Sequence, residues 1–186
     1  MLRNWFLVLF AFALTACGPS MYVKEMGSPR DAMIYGYIDA GERPMYFNWV
    51  QLRYTDAAGN EEYYTTRSNE EGLFYAENLP PGKYEIYRIG EGNRPMGSNV
   101  ISGGGYVFNL GEASKETAMR VKAPGVHYFG SFKYTYIEHK GFFGRDSFDF
   151  QRSNSPSEKE LLQHLIKYTE DTQWTGSIKK RLAALK

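Results

Sequence analysis

The chain has 186 residues, 22 of them Lys or Arg and 21 Asp or Glu, giving a formal charge of +1 at neutral pH. So even a balance, without a basic stripe, lacks the electrostatic footprint a phosphate backbone demands and argues against a nucleic-acid partner. Aromatic residues make up 16% of the sequence, including 15 Tyr and 12 Phe, side chains that suit the half-buried surface of a sheet.

One basic residue, Arg3, precedes an uninterrupted apolar run from Trp5 to Leu14. That run is too short to cross a bilayer as a helix, and it reads as the apolar region of a cleavable signal peptide covering residues 1–16. Arg3 is the one charged residue within it, so the mature chain is formally neutral. Small residues at Thr15 and Ala16 then let an extended backbone enter a protease groove.

The sequence Leu14-Thr15-Ala16-Cys17 resembles the lipobox of bacterial lipoproteins. The resemblance implies diacylglycerol on the Cys17 thiol and cleavage between Ala16 and Cys17. Cys17 is the only cysteine in the chain, so it has no intramolecular disulfide partner in an oxidising compartment, and lipid attachment accounts for it. Two or three acyl chains, each buried CH₂ contributing roughly 0.8 kcal/mol, hold a protein durably where one chain is marginal. The covalent lipid is thus the only prosthetic group expected, and the membrane the first partner. In Gram-negative lipoproteins an Asp directly after the lipidated Cys favours inner-membrane retention. Gly18 stands there, so the resemblance implies the outer membrane, on its periplasmic face.

Residues 17–31 mix Gly, Pro and Ser with charges and show no apolar periodicity, which reads as a flexible tether. Residues 32–150 then alternate short β-branched and aromatic runs with turn signals roughly every ten residues, as in a β-sandwich or barrel. Strands are expected at Met33–Ile38, Val50–Tyr54, Glu62–Thr66, Leu73–Ala76, Lys83–Ile89, Tyr106–Leu110, Thr117–Lys122, His127–Tyr136 and Ser147–Phe150. Asp56-Ala57-Ala58-Gly59-Asn60 joins a side-chain acceptor to a glycine able to take positive φ, the chemistry of a tight hairpin. At Asn78-Leu79-Pro80-Pro81-Gly82 two prolines bar helix and ladder bonding and set a rigid corner before the next strand.

Asn69-Glu70-Glu71-Gly72-Leu73-Phe74, followed by Asn78-Leu79-Pro80-Pro81-Gly82-Lys83-Tyr84-Glu85-Ile86, resembles the carboxypeptidase regulatory-like repeat across about Ile34 to Ile89. That resemblance implies a prealbumin-like antiparallel β-sandwich, a folding, spacing or binding module without catalytic residues of its own. The segment Ala40 to Asn48, containing Arg43-Pro44-Met45-Tyr46-Phe47, departs from the pattern, because members commonly run directly into a small apolar strand there. Ala123-Pro124-Gly125-Val126-His127-Tyr128-Phe129-Gly130 is similar to a turn and strand of uncharacterised bacterial lipoproteins with this sandwich.

Residues 151–186 change period and form a helical appendage expected to pack on the sandwich. Ser155-Pro156-Ser157-Glu158 offers an N-cap serine, Pro at the first helical position and Glu at the third. Leu161, Leu162, Leu165 and Ile166 then fall on one helical stripe. Thr175 or Ser177 offers a cap for a second helix with Ile178, Leu182 and Leu185 on one side and Lys179, Lys180 and Arg181 on the other. That helix reads as cover for a sheet edge, or as a dock for a partner or membrane surface. Trp174 reads as a core plug.

His127, His139 and His164 have no metal-ligand spacing, so no metal site is expected. No serine lies between flanking glycines, and Ser177-Ile178-Lys179-Lys180 matches S-x-x-K without its companion motifs. Gly82-Lys83 runs into Tyr84, and Gly103-Gly104-Gly105 precedes a strand, so neither forms a phosphate loop. Paired carboxylates, Glu61-Glu62, Glu70-Glu71 and Asp146 with Asp149, fall in loops or at strand ends. Strand alternation would put Tyr35, Tyr37, Tyr63, Tyr64, Tyr75, Tyr84 and Tyr87 on outward sheet faces, with Tyr63, Tyr64, Tyr84 and Tyr87 as candidate ligand contacts for a glycan. The competing expectation is that these rings pair across strands or lie beneath the C-terminal helices. The sequence thus points to a non-enzymatic, membrane-anchored module of the cell envelope, structural or protein-binding, with glycan binding as the alternative and a hydrolase with an unrecognised site a more distant one.

Overall fold

The computed structural model describes residues 23–185 except 29, 42–46, 70, 93–105 and 138–146. Two sheets face each other, and two C-terminal helices cover the outer side of one of them. The first sheet holds, in spatial order, β4 (Leu73–Leu79), β1 (Ala32–Asp39), β8 (Gly125–Ile137) and β9 (Ser147–Ser153). The second holds β3 (Glu61–Arg67), β2 (Trp49–Thr55), β5 (Gly82–Gly90) and β6 (Val107–Asn109), with β7 (Met119–Val121) on another stretch of β5. Every pairing is antiparallel except β1 with β8, which is parallel. The expected all-antiparallel sandwich is corrected at that pair: the chain crosses from β7 in the second sheet to β8 in the first, and a crossover can enter a sheet in either direction.

The mainly β reading holds, and each expected strand overlaps an observed one. Expectation and structure differ in detail at Thr117–Lys122, where only Met119–Val121 is a strand; Gly111–Thr117 forms a 3₁₀ helix instead. Gly111 enters it at φ 53°, and Thr117 turns its hydroxyl inward, donating to Ser114 O at 2.6 Å and accepting from Ile86 N at 2.9 Å. The last strand runs three residues beyond the expected limit at Phe150, because Gln151, Arg152 and Ser153 still pair with Lys133, Phe132 and Ser131.

The motif residues do what their chemistry suggests. Asp56 Oδ1 accepts from Ala58 N and Asn60 N at 2.8 Å each, and Gly59 takes φ 88° between them. The Pro80-Pro81 corner carries the chain from β4 in one sheet to β5 in the other. Both proline carbonyls are claimed by tyrosines: Tyr84 Oη donates to Pro80 O, and Tyr54 Oη donates to Pro81 O at 3.2 Å. Gly82 leaves room for this clasp, since a Cβ there would lie 2.1 Å from the Tyr54 ring.

Alternation along β1 produces two cores. Ala32, Ile34 and Ile38 face the second sheet with Phe74, Val50, Leu52, Ile86 and Phe132. Met33 and Tyr35 face the other way, into a second core with Leu73, Tyr75, Leu161, Leu162, Leu165, Trp174 and Ile178. A strand buried on both faces reads as a continuous apolar run, which is why Ala32–Ile38 carries so little polarity.

The helices are α1 (Glu158–Thr169) and α2 (Trp174–Ala184). The expected capping box exists but lies two residues further on, with Ser157 as N-cap and Glu160 as its partner. The same S-x-x-E spacing recurs there, and Ser131 Oγ ties the Pro156 carbonyl at 2.7 Å, holding that residue outside the helix. Neither Thr175 nor Ser177 caps α2, which begins at Trp174 after Gln173 without a side-chain cap. Burial of the indole fixes the helix start instead: Trp174 is fully buried, the core plug its sequence position suggested.

Candidate functional site

Cys17 and Ala16, with the whole signal and lipobox reading, lie outside the described residues, as does His139. The described chain begins at Val23, and here the tether expectation is corrected. Val23 is 0% exposed and belongs to the core beneath the helices. Lys24 N donates to Glu77 Oε1 at 3.3 Å and Gly27 N to Asn78 Oδ1 at 2.8 Å. Asn78 Nδ2 returns a bond to Glu25 O at 2.9 Å. From the helical side, Gln173 N donates to Glu25 Oε2 at 3.2 Å and Trp174 Nε1 to Lys24 O at 3.2 Å. Residues 23–27 are therefore docked between the end of β4 and the start of α2. An apolar residue, Val23, finds a core position there, and that outweighs the absence of periodicity. Residues 17–22 and 29 of the expected tether lie outside the described residues.

Asn78 is the residue whose role the sequence leaves least visible. It adopts φ 59°, a left-handed conformation that Asn tolerates better than other non-glycine residues. In that conformation its amide clasps the N-terminal segment. Its place before the two prolines marks a turn, but nothing in the sequence names Glu25 and Gly27 as its partners.

A second junction joins β1, α1 and α2. Tyr35 Oη donates to Glu158 Oε1 at 2.7 Å, while Arg181 grips the same carboxylate through Nε at 2.7 Å and Nη2 at 3.1 Å. Burial first, then the Glu158 carboxylate, push the Tyr35 hydroxyl far above its ordinary range, and the Glu158 bond raises Arg181. Beside it, Met26, Pro124, Val126 and Ala184 line a groove of about 440 Å³ rimmed by Ser177, Lys180, Arg181 and Asp31.

The four candidate tyrosines do not form a row. Tyr84 is fully buried between the sheets, and Tyr64 is half-buried against the same core. Burial, with the neighbouring Glu62 adding to it, pushes the Tyr64 hydroxyl up to about 12. Tyr63 and Tyr64 are sequence neighbours and so point to opposite faces; Tyr84 and Tyr87, three apart, do likewise. The outward expectation is thus corrected for Tyr64 and Tyr84.

Tyr63 and Tyr87 remain on the outer face of the second sheet, ring centroids 5.2 Å apart. The Arg53 and Arg88 guanidinium groups lie over the Tyr87 ring at 5.3 and 4.6 Å. Arg53 also pairs with Glu85 at 2.5 Å, and Lys83 joins the same carboxylate. Burial alone would raise Glu85; the hydrogen bonds from Arg53 and Lys83 outweigh it and hold the carboxyl below its ordinary 4.5. Tyr35 and Tyr75 lie beneath the helices. Cross-strand pairing and helix cover thus describe these rings better than an open stacking platform.

The remaining candidates disperse. His127 Nε2 bonds the Ala123 carbonyl at 2.8 Å, and His164 Nδ1 sits 3.2 Å from Glu71 Oε2 on an exposed surface. Among the described residues no group of three or more His, Cys, Asp or Glu is placed to hold a metal ion. No described helix is long and apolar enough to cross a membrane. No protein-family model, curated protein or solved structure matches the chain.

Proposed function

We propose that this chain is a lipid-anchored lipoprotein of the cell envelope, held by acyl chains on Cys17 at the periplasmic face of the outer membrane. Its two-sheet domain and helices act as a non-catalytic structural or protein-interaction module. The observation that carries the reading is the order of features at the N-terminus: one basic residue, an apolar run from Trp5 to Leu14, then Leu14-Thr15-Ala16-Cys17 with the chain's only cysteine.

The domain is of the prealbumin-like, carboxypeptidase regulatory-like kind on this reading. Support comes from the two facing sheets, the turn from Asn69 to Gly72, and the Pro80-Pro81 corner clasped by Tyr54 and Tyr84. The distribution of polar groups supports a non-catalytic role, since the polar junctions described above join one element to another. Replacing Cys17 with Ser tests the anchor. The variant should lose radiolabelled-palmitate incorporation and appear unprocessed or soluble, and a lipid-labelled membrane form of it would overturn the proposal.

A further inference from the structure

We infer that α2 is the membrane-facing element of the anchored domain, and that Lys179 and Lys180 engage the headgroups of an anionic phospholipid surface. The inference rests on the lipid-anchor reading and adds an orientation to it.

Reach comes first. Five residues lie between Cys17 and Val23, and a fully extended chain covers at most about 3.6 Å per residue, so over the six steps the acyl attachment lies within about 20 Å of Val23. Val23 is locked into the core beside Trp174, and Lys24 and Glu25 are bonded to the first residues of α2. An 11-residue helix is about 16 Å long, so the whole of α2 falls within the tether's range.

Charge comes second. From Trp174 to Lys186 the sequence contains no Asp or Glu, while Lys179, Lys180 and Arg181 are consecutive and exposed. Arg181 is held by Glu158, and Asp31 and Lys180 both line the groove that also contains Met26, Val126 and Ala184. Neither Lys179 nor Lys180 makes an ion pair with another described residue. Lys180 lining a groove that also holds Met26 of the N-terminal segment, with the exposed Lys179 beside it in the helix, matches a phosphate layer with hydrocarbon behind it. Each basic side chain close to an anionic surface strengthens attachment about fivefold at physiological salt, and the effect vanishes beyond a Debye length.

The test uses the full lipidated protein extracted from membranes and reconstituted into vesicles of phosphatidylcholine alone or of equimolar phosphatidylcholine and phosphatidylglycerol. Hydrogen exchange across residues 174–185 should slow by about fivefold or more in the anionic vesicles. The difference should disappear at about 1 M salt, where the Debye length is about 3 Å. It should also disappear in Lys179→Gln/Lys180→Gln, whose exposed substitutions leave both cores intact. Equal exchange in both vesicle types, or a difference that survives the double variant, would overturn the inference. Failure of the anchor itself reads differently: a chain without acyl mass on Cys17 would not remain with either vesicle.

Discussion

Single residues in this protein are held by contacts that chemistry can break one at a time. Gly36 lies where β1 meets both β4 and β8, and a Cβ there would sit 2.6 Å from the Phe74 ring and 2.8 Å from the Gly130 carbonyl. Backbone cannot give way as a flexible side chain can, so Gly36→Ala should cost about 1–3 kcal/mol in urea unfolding. Glu85 offers a pH test. Its folded carboxyl is held below the ordinary value, so it favours the folded state when ionised. That contribution is fully present above the unfolded pKa near 4.5 and is lost as pH falls through the lowered folded value. Glu85→Gln should therefore flatten the loss of stability on acidification below about pH 5, measured as the urea midpoint across a pH series. An unchanged acid limb would show that Arg53 and Lys83 give the carboxylate no net advantage.

At the scale of elements, the docked segment and α2 depend on each other. Trp174 fills the second core and bonds the Lys24 carbonyl, so Trp174→Ala should cost about 3–5 kcal/mol and raise hydrogen exchange in residues 23–27 together with α2. Ser157→Ala removes one half of the capping box and should cost about 1 kcal/mol, with faster exchange confined to the first turn of α1. Existence and type of the elements were legible wherever a local rule acts alone: the nine extended runs, the Asp56 turn, the proline corner and the apolar stripe of α1. Positions set by long-range contacts were not. The capping box appears twice two residues apart in sequence, and the bond from Ser131 to Pro156 chooses between the copies. The docking of Val23 depends on Glu77, Asn78 and Trp174, none of them close in sequence. The tyrosine faces could have been read more strictly, because neighbours such as Tyr63 and Tyr64 cannot share one.

Across the whole molecule the layers are helices, first sheet, second sheet, with a core in each gap. Burial of the first sheet on both sides makes it the rigid centre, and the N-terminal segment enters the fold between the end of its edge strand β4 and the start of α2. An anchor on Cys17 would then hold a domain of defined orientation close to the surface. What the sequence offered of the functional site was one residue, Cys17, by resemblance; the tyrosine platform it also suggested is divided by the fold between a core and an arginine-packed pair.

The covalent anchor on Cys17 carries the proposed function, and the intact mass of the protein extracted from native membranes is the measurement that decides it. The extracted chain should begin at Cys17 and exceed the polypeptide mass by a diacylglyceryl group and an amide-linked acyl chain, both lost in Cys17→Ser. A chain of unmodified polypeptide mass, or one beginning at another residue, would contradict it.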